Sequence, residues 1–171
     1  MSTFGKRMVR AAKLDVAVYE EVEADVGATG QAMAVVALAA LAAGVAMRSG
    51  VRGLLVTTIA SVLGWAVWAL LIYWIGARWL PEAETQADWT QLLRTLGFAS
   101  APGILRVAGI IPGLAGPLFL ITALWVLVAT VVAVRQALDY RSTGRALAVC
   151  LLGWIVQWLL IVAVVRLLRA G

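Results

Sequence analysis

Histidine is absent from this chain of 171 residues, cysteine occurs once, and charged residues make up 13% of it. Without histidine there is no imidazole base for a serine or cysteine nucleophile, and no histidine ligand for haem, chlorophyll or a metal. The two lysines, Lys6 and Lys13, precede the apolar part of the chain, so a Ser-Lys dyad within a membrane has no base. An intramembrane aspartyl protease needs two facing carboxylates, and none of the acidic residues falls inside an apolar run. Glu20 and Glu21 form a pair like that of membrane prenyl-protease relatives, but the histidines such a site requires are missing. Cys150, between Val149 and Leu151, reads as a small apolar side chain and not as a reactive thiol. No catalytic residue, metal ligand set or cofactor site is therefore expected.

Apolar residues fill what is left. They amount to 63% of the chain and its mean hydropathy is +0.96, against roughly half apolar in soluble proteins. This is the composition of an integral membrane protein. At about 20 residues per crossing, the length accommodates five spans and a short tail in one domain. The net charge of +5 does not mark a nucleic-acid surface, because the arginines stand at the ends of apolar runs, where they set topology.

Residues 1–30 are expected to form an amphipathic N-terminal helix, interfacial or cytoplasmic, and residues 31–171 the transmembrane domain. Phe4, Met8, Ala11, Leu14, Val18 and Val22 recur at helical spacing and predict one continuous stripe. Its first half is basic (Lys6, Arg7, Arg10, Lys13) and suits an anionic membrane surface; its second half is acidic (Asp15, Glu20, Glu21, Glu23, Asp25) and suits water or a basic partner. No continuous apolar core follows Lys13, so a cleavable signal is not expected.

Five spans follow. The first runs from Gln31 to Met47 and the second from Leu54 to Leu80, the latter ending in the interfacial aromatics Tyr73, Trp74 and Trp79. The polar stretch from Pro81 to Gln91 must lie in water. The third span, Leu92 to Ile111, contains Arg94, Ser100, Pro102, Gly103 and Arg106 and stops at Pro112-Gly113. Pro102 removes a backbone donor, so a break near Ser100 is expected, and irregular backbone at that depth must be covered by protein or line a wet cavity. The fourth span is Leu118 to Val134. After the polar turn from Arg135 to Arg145, the fifth runs from Ala146 to about Val165, with Ser142 or Thr143 as its cap. Ala146, Cys150, Gly153 and Gln157 share a face there, a small-residue stripe suited to close packing. Gly109-xxx-Gly113 and Ala60-xxx-Gly64 offer further small-residue contacts. In the turn, Arg135 stands one helical turn before Asp139, and the two are expected to pair.

With the N-terminus cytoplasmic, nine basic residues, including Arg78, Arg94, Arg135, Arg141 and Arg145, fall on the cytoplasmic side and five, Arg48, Arg52, Arg106, Arg166 and Arg169, on the other. The bias favours a cytoplasmic N-terminus and an opposite C-terminus.

The stretch from Phe98 through Pro102, Arg106 and Pro112 to Pro117, the run containing Leu124-Trp125, and the turn from Ala133 to Ala146 resemble the Yip1 membrane domain in its bacterial form. The resemblance implies a five-helix domain in a bacterial inner membrane with a cytoplasmic N-terminus. Eukaryotic relatives work with small Rab-type GTPases through long N-terminal regions; with only about 30 residues before its spans, this chain is not expected to take a GTPase partner. The expected function is that of a non-enzymatic membrane-organising or assembly subunit, in contact with membrane lipid and with other membrane proteins or further copies of itself. A small-solute or lipid-handling transporter is the alternative. The residues expected to carry structure or interaction are Pro102, Gly103, Arg106, Gly109, Pro112, Gly113, Arg135, Asp139, Arg141 and Gln157.

Overall fold

The computed structural model describes residues 3–170, and every regular element among them is helical. Two short helices, α1 (Phe4–Ala12) and α2 (Val16–Ala24), precede α3 (Ala28–Ala46) and α4 (Gly50–Ile72), which continues as a π-helix over Tyr73–Trp79. Then come α5 (Trp89–Ala99), a 3-10 helix over Ala101–Ile110, α6 (Ala115–Ala137) and α7 (Thr143–Ala170). Among the described residues, four helices are long and apolar enough to cross a membrane: Ala28–Ala46, Gly50–Trp79, Ala115–Ala137 and Thr143–Leu160. The side chain of Arg169, which the charge count assigns to the side opposite the N-terminus, and the C-terminal Gly171 lie outside the described residues.

The N-terminal stripe is not one helix. Leu14 takes a left-handed conformation (φ 61°), and the Asp15 side chain accepts a hydrogen bond from the Ala17 amide to start α2 afresh. The break folds α2 back beside α1, and the stripe is buried against the bundle instead of lying along a surface. Phe4 meets Phe98 edge to face at 6.4 Å, and the Trp125 indole donates to the Ala12 carbonyl at 2.7 Å. Arg94 of α5 donates through Nε to the Glu23 carbonyl at 3.1 Å, satisfying the end of α2.

The expected third span is broken where the proline predicts. A capping box of Asp88 and Gln91 opens α5, every residue from Leu92 to Ala99 is buried, and the helix gives way at Ser100 to the tighter 3-10 winding. Three glycines let this segment lie directly on α3. A Cβ on Gly97 would stand 2.6 Å from the Ala32 Cβ, one on Gly103 3.2 Å from that of Ala39, and one on Gly109 3.0 Å from that of Ala46. The order is parallel: six residues on the broken segment keep pace with seven on α3, because the 3-10 rise of about 2.0 Å exceeds the α rise of about 1.5 Å.

The loop of residues 80–88 and the turn of residues 138–142 meet at the end that carries α1 and α2, here the near end; residues 47–49 and 111–114 lie at the far end. Burial divides the molecule along this axis. Near-end segments such as Leu92 to Ala99 and Ala129 to Leu138 form the core, whereas Val51, Leu55, Ile59, Leu63, Leu120, Ile121 and Leu124 in the far half expose their apolar side chains.

Candidate functional site

In that looser half, α3, α4, α6, α7 and the 3-10 helix border an open cavity of about 680 Å³. Its walls are mainly apolar, with Val36, Ala40, Leu96, Leu124 and Leu127 beside the indoles of Trp65, Trp68 and Trp154. Trp68 and Trp154 stack at 6.1 Å, and Gly153 packs beneath Trp68, its Cβ position 3.0 Å from the ring. The Trp65 indole donates to the Leu93 carbonyl at 3.1 Å, tying this wall to α5. Polar groups are few: Ser49, Thr57, Ser61, Ser100, Thr130, Gln157 and the guanidinium of Arg106. Thr57, Ser100 and Thr130 donate to carbonyls three or four residues back, so their protons are already engaged. Among the described residues, Arg106 is the one ionisable group that lines the cavity, and it forms no ion pair. Its Nε donates to the Thr122 hydroxyl at 2.9 Å and its guanidinium lies 5.1 Å from the centre of the Phe119 ring.

Three of the residues singled out from sequence, Gly103, Arg106 and Gln157, therefore meet at one cavity. Pro102 is buried at the start of the 3-10 helix, and Gly109 packs on Ala46 and Ala115. Within the chain neither Gly113 nor Gly64 makes a helix contact: Gly113 has open space around it and φ +84°, which makes it the turn residue after Pro112, and Gly64 lines the cavity with nothing within 4 Å of an added Cβ.

Arg135, Asp139 and Arg141 belong to a second cluster, at the near end. The expected Arg135–Asp139 pair does not form. Asp139 sits beyond the end of α6 with φ 52°, which takes it out of the helical register that brings residues four apart together. Arg135 instead donates to the Tyr140 carbonyl and the Thr143 hydroxyl, both at 3.2 Å. Arg141 pairs with Glu84, and its amide donates to the Glu82 carboxylate at 3.0 Å. The Thr85 hydroxyl donates to the Leu138 carbonyl at 2.9 Å. Tyr140 closes this latch: its hydroxyl lies 2.8 Å from the carbonyls of both Gly76 and Leu80 and shares its proton between them, covering the π-helical turn. Burial holds the phenol above its ordinary pKa, so it remains a donor.

No group of three or more Asp, Glu or Cys side chains with metal-ligating geometry occurs among the described residues. Sequence reasoning missed Gly97, Tyr140, Thr122 and Phe119. The six-residue spacing of Gly97, Gly103 and Gly109 against the seven-residue spacing of Ala32, Ala39 and Ala46 becomes a signal only once the 3-10 winding is known.

A bundle of apolar helices with a broken central segment and a cavity bounded by several of them defines an integral membrane protein of the all-helical class. The Yip1 domain model matches residues 17–165, most of the chain, and the protein belongs to that family. Neither a curated protein nor a solved structure matches it.

Proposed function

We propose that this Yip1-family chain is a non-enzymatic, five-span protein of a bacterial inner membrane, which organises that membrane by associating laterally with lipid and with other membrane proteins or copies of itself. The near end is the cytoplasmic face, with the N-terminus there and the C-terminus opposite. The near-end latch supports the fifth crossing. If α5 and the 3-10 helix did not cross, the 80–88 loop and the 138–142 turn would lie on opposite sides of the bilayer, yet Glu82, Glu84 and Thr85 bond to Arg141 and Leu138. The broken segment also has the reach, roughly 36 Å from its 11 α-helical and 10 3-10 residues.

The observation that carries the lateral role is the face of α4. Val51, Leu55, Ile59, Leu63, Val67 and Leu70 follow one another at helical spacing and all are exposed. Gentle solubilisation followed by copurification tests it. The expected result is a stable protein partner or a dimer, lost when Ile59 and Leu63 are both replaced by tryptophan while insertion is retained. A monomer free of protein partners, unchanged by those substitutions, would overturn the protein-binding part. The transporter reading draws on the cavity, whose volume falls within the range of about 300 to 1,000 Å³ typical of small-molecule sites. Arg106 is the single charge on its wall and no carboxylate accompanies it to couple protons or sodium, so transport ranks second.

A further inference from the structure

The cavity is built around a charge that the protein leaves unanswered. Arg106 does not turn outward to the membrane surface, as an arginine about one turn from a helix end is able to do. Thr122 holds its Nε and Phe119 flanks its plane, so the side chain is fixed against α6 and lines the cavity. A guanidinium carries five donors. One is taken by Thr122, and no carboxylate and no carbonyl takes the others among the described residues. Gln157 on α7 likewise has no hydrogen-bond partner among the described residues and lines the same space. A cation with most of its donors unused and an amide facing it at membrane depth cost several kcal/mol unless something supplies acceptors.

We propose that the cavity is a binding site for a phosphate-bearing ligand, with the Arg106 guanidinium as its anion receptor and Gln157 as a further polar contact. The planar fork of arginine matches two phosphate oxygens at once. The remaining wall, from Leu124 and Leu127 to Trp68 and Trp154, is apolar and fits an acyl chain. Arg106 lies four residues from the far end of the 3-10 helix, about 8 Å by its rise, within reach of the headgroup layer of the far leaflet. The ligand chemistry is a phosphate in a molecule of net negative charge, supplied either by an anionic phospholipid headgroup or by a free phosphate; in a choline headgroup the ammonium offsets the phosphate and repels the guanidinium.

The inference rests on the membrane placement proposed above but not on a protein partner, and its test reads ligand alone. The chain is purified in a neutral detergent and supplied with phosphatidylglycerol, phosphatidylcholine or inorganic phosphate. Retained lipid is counted by native mass spectrometry and the thermal midpoint is followed. The expected result is one phosphatidylglycerol held per chain in preference to phosphatidylcholine. Arg106→Gln lowers that retention about tenfold or more, the scale of one charged hydrogen bond. Arg106→Lys keeps most of it, and Arg52→Gln, which removes an exposed arginine of the same end, leaves it unchanged. A thermal shift by inorganic phosphate that Arg106→Gln abolishes identifies a soluble anion as the source; a response to phosphatidylglycerol alone identifies the lipid. Equal retention of the two lipids by the wild-type chain with no response to phosphate overturns the site, whether or not the variants fold, and so does an Arg106→Gln chain that holds phosphatidylglycerol like the wild type. Protein partners recovered at wild-type levels alongside such a failure would leave the lateral role standing.

Discussion

Arg7 and Arg94 are buried, at 2% and 4% exposure, in a chain with few charges to spare. Arg7 joins the two N-terminal helices: its Nε meets Glu21 at 3.0 Å, and its Nη1 meets Asp25 at 2.8 Å and the Gln31 amide oxygen at 3.1 Å. Removing it leaves two carboxylates that remain partly accessible to water, so Arg7→Met is expected to cost about 2 to 4 kcal/mol, near the lower part of the range for broken buried pairs. Reversible unfolding in detergent measures this, and a loss below about 0.5 kcal/mol would show that the pair is held loosely. Glu23 gives a second prediction at this scale. Burial first, then the negative charges of Asp139, Glu20 and Asp88, push its carboxyl up to about 7, while Arg94 acts in the opposite direction. A carboxyl raised in the folded state binds its proton more tightly there than in the unfolded chain. Its stabilising contribution is therefore complete below the ordinary value of 4.5 and is lost as the pH rises through about 7. Glu23→Gln should flatten the decline of the thermal midpoint across this window, and an unchanged pH profile would exclude Glu23 as its source. These side chains were visible in the sequence as a basic half followed by an acidic half. That the two halves fold back on each other was not, because the fold depends on a left-handed Leu14, a conformation that no residue-type preference predicts.

Among the elements, the broken segment from Trp89 to Ile110 departs furthest from an ordinary span, and its glycines explain how it is accommodated. Gly97 has the least room: besides the Ala32 Cβ, the Ala32 backbone carbons would lie only 3.0 Å from an added methyl. Gly97→Ala must push α3 away and is expected to cost about 1 to 3 kcal/mol, as overpacking does. A second change, Ala32→Gly, should recover part of that loss by removing the nearer contact but not the backbone ones. Gly64→Ala is the control, since nothing lies within 4 Å of its added methyl, and it should be neutral or mildly stabilising. Denaturation midpoints of the four chains check the pattern; a Gly97→Ala chain as stable as the wild type would mean that the close approach is not required. Replacing Pro102 and Gly103 together by leucine should likewise damage folding although it raises hydropathy, because both positions are buried against protein. The four long spans were legible as apolar runs, and the break was legible from Pro102. The ladder of Gly97, Gly103 and Gly109 was not, since six-residue spacing has no meaning on an α-helix until the 3-10 winding and its partner α3 are known. The π-helical turn over Tyr73–Trp79 had no signal of its own either; its cover is Tyr140, more than 60 residues away in sequence.

For the whole molecule, the contrast between a packed near half and a loose far half decides where function is sought. Packing in lipid gains nothing from expelling water, so tight association needs small residues and hydrogen bonds. The polar ties concentrate at the near end, in the N-terminal ion pairs and the latch through Tyr140, while the small-residue contact of α3 runs on to Gly109 and Ala46 at the far end. The far half has larger apolar side chains, fewer interhelical bonds and the Arg106 cavity. Arginine count alone pointed to the orientation, and Arg48 and Arg52 weakened it; the latch, which holds two connections on one side, bears on the number of crossings and not on which side that is. The topology can be tested with the chain nearly as it stands. Its single cysteine, Cys150, is buried in α7, so background labelling by a membrane-impermeant maleimide should be low. Arg141→Cys sacrifices only an exposed pair with Glu84, worth about 0 to 1 kcal/mol, and Arg52→Cys alters an exposed residue that has no ion pair among those described. In right-side-out vesicles Arg52→Cys should react at once and Arg141→Cys only after permeabilisation, and in inverted vesicles the order should reverse. Labelling of both from one side would contradict an odd number of crossings between them. The fully reversed pattern would keep the five spans but turn the molecule over, moving the Arg106 cavity to the cytoplasmic leaflet and placing the latch outside.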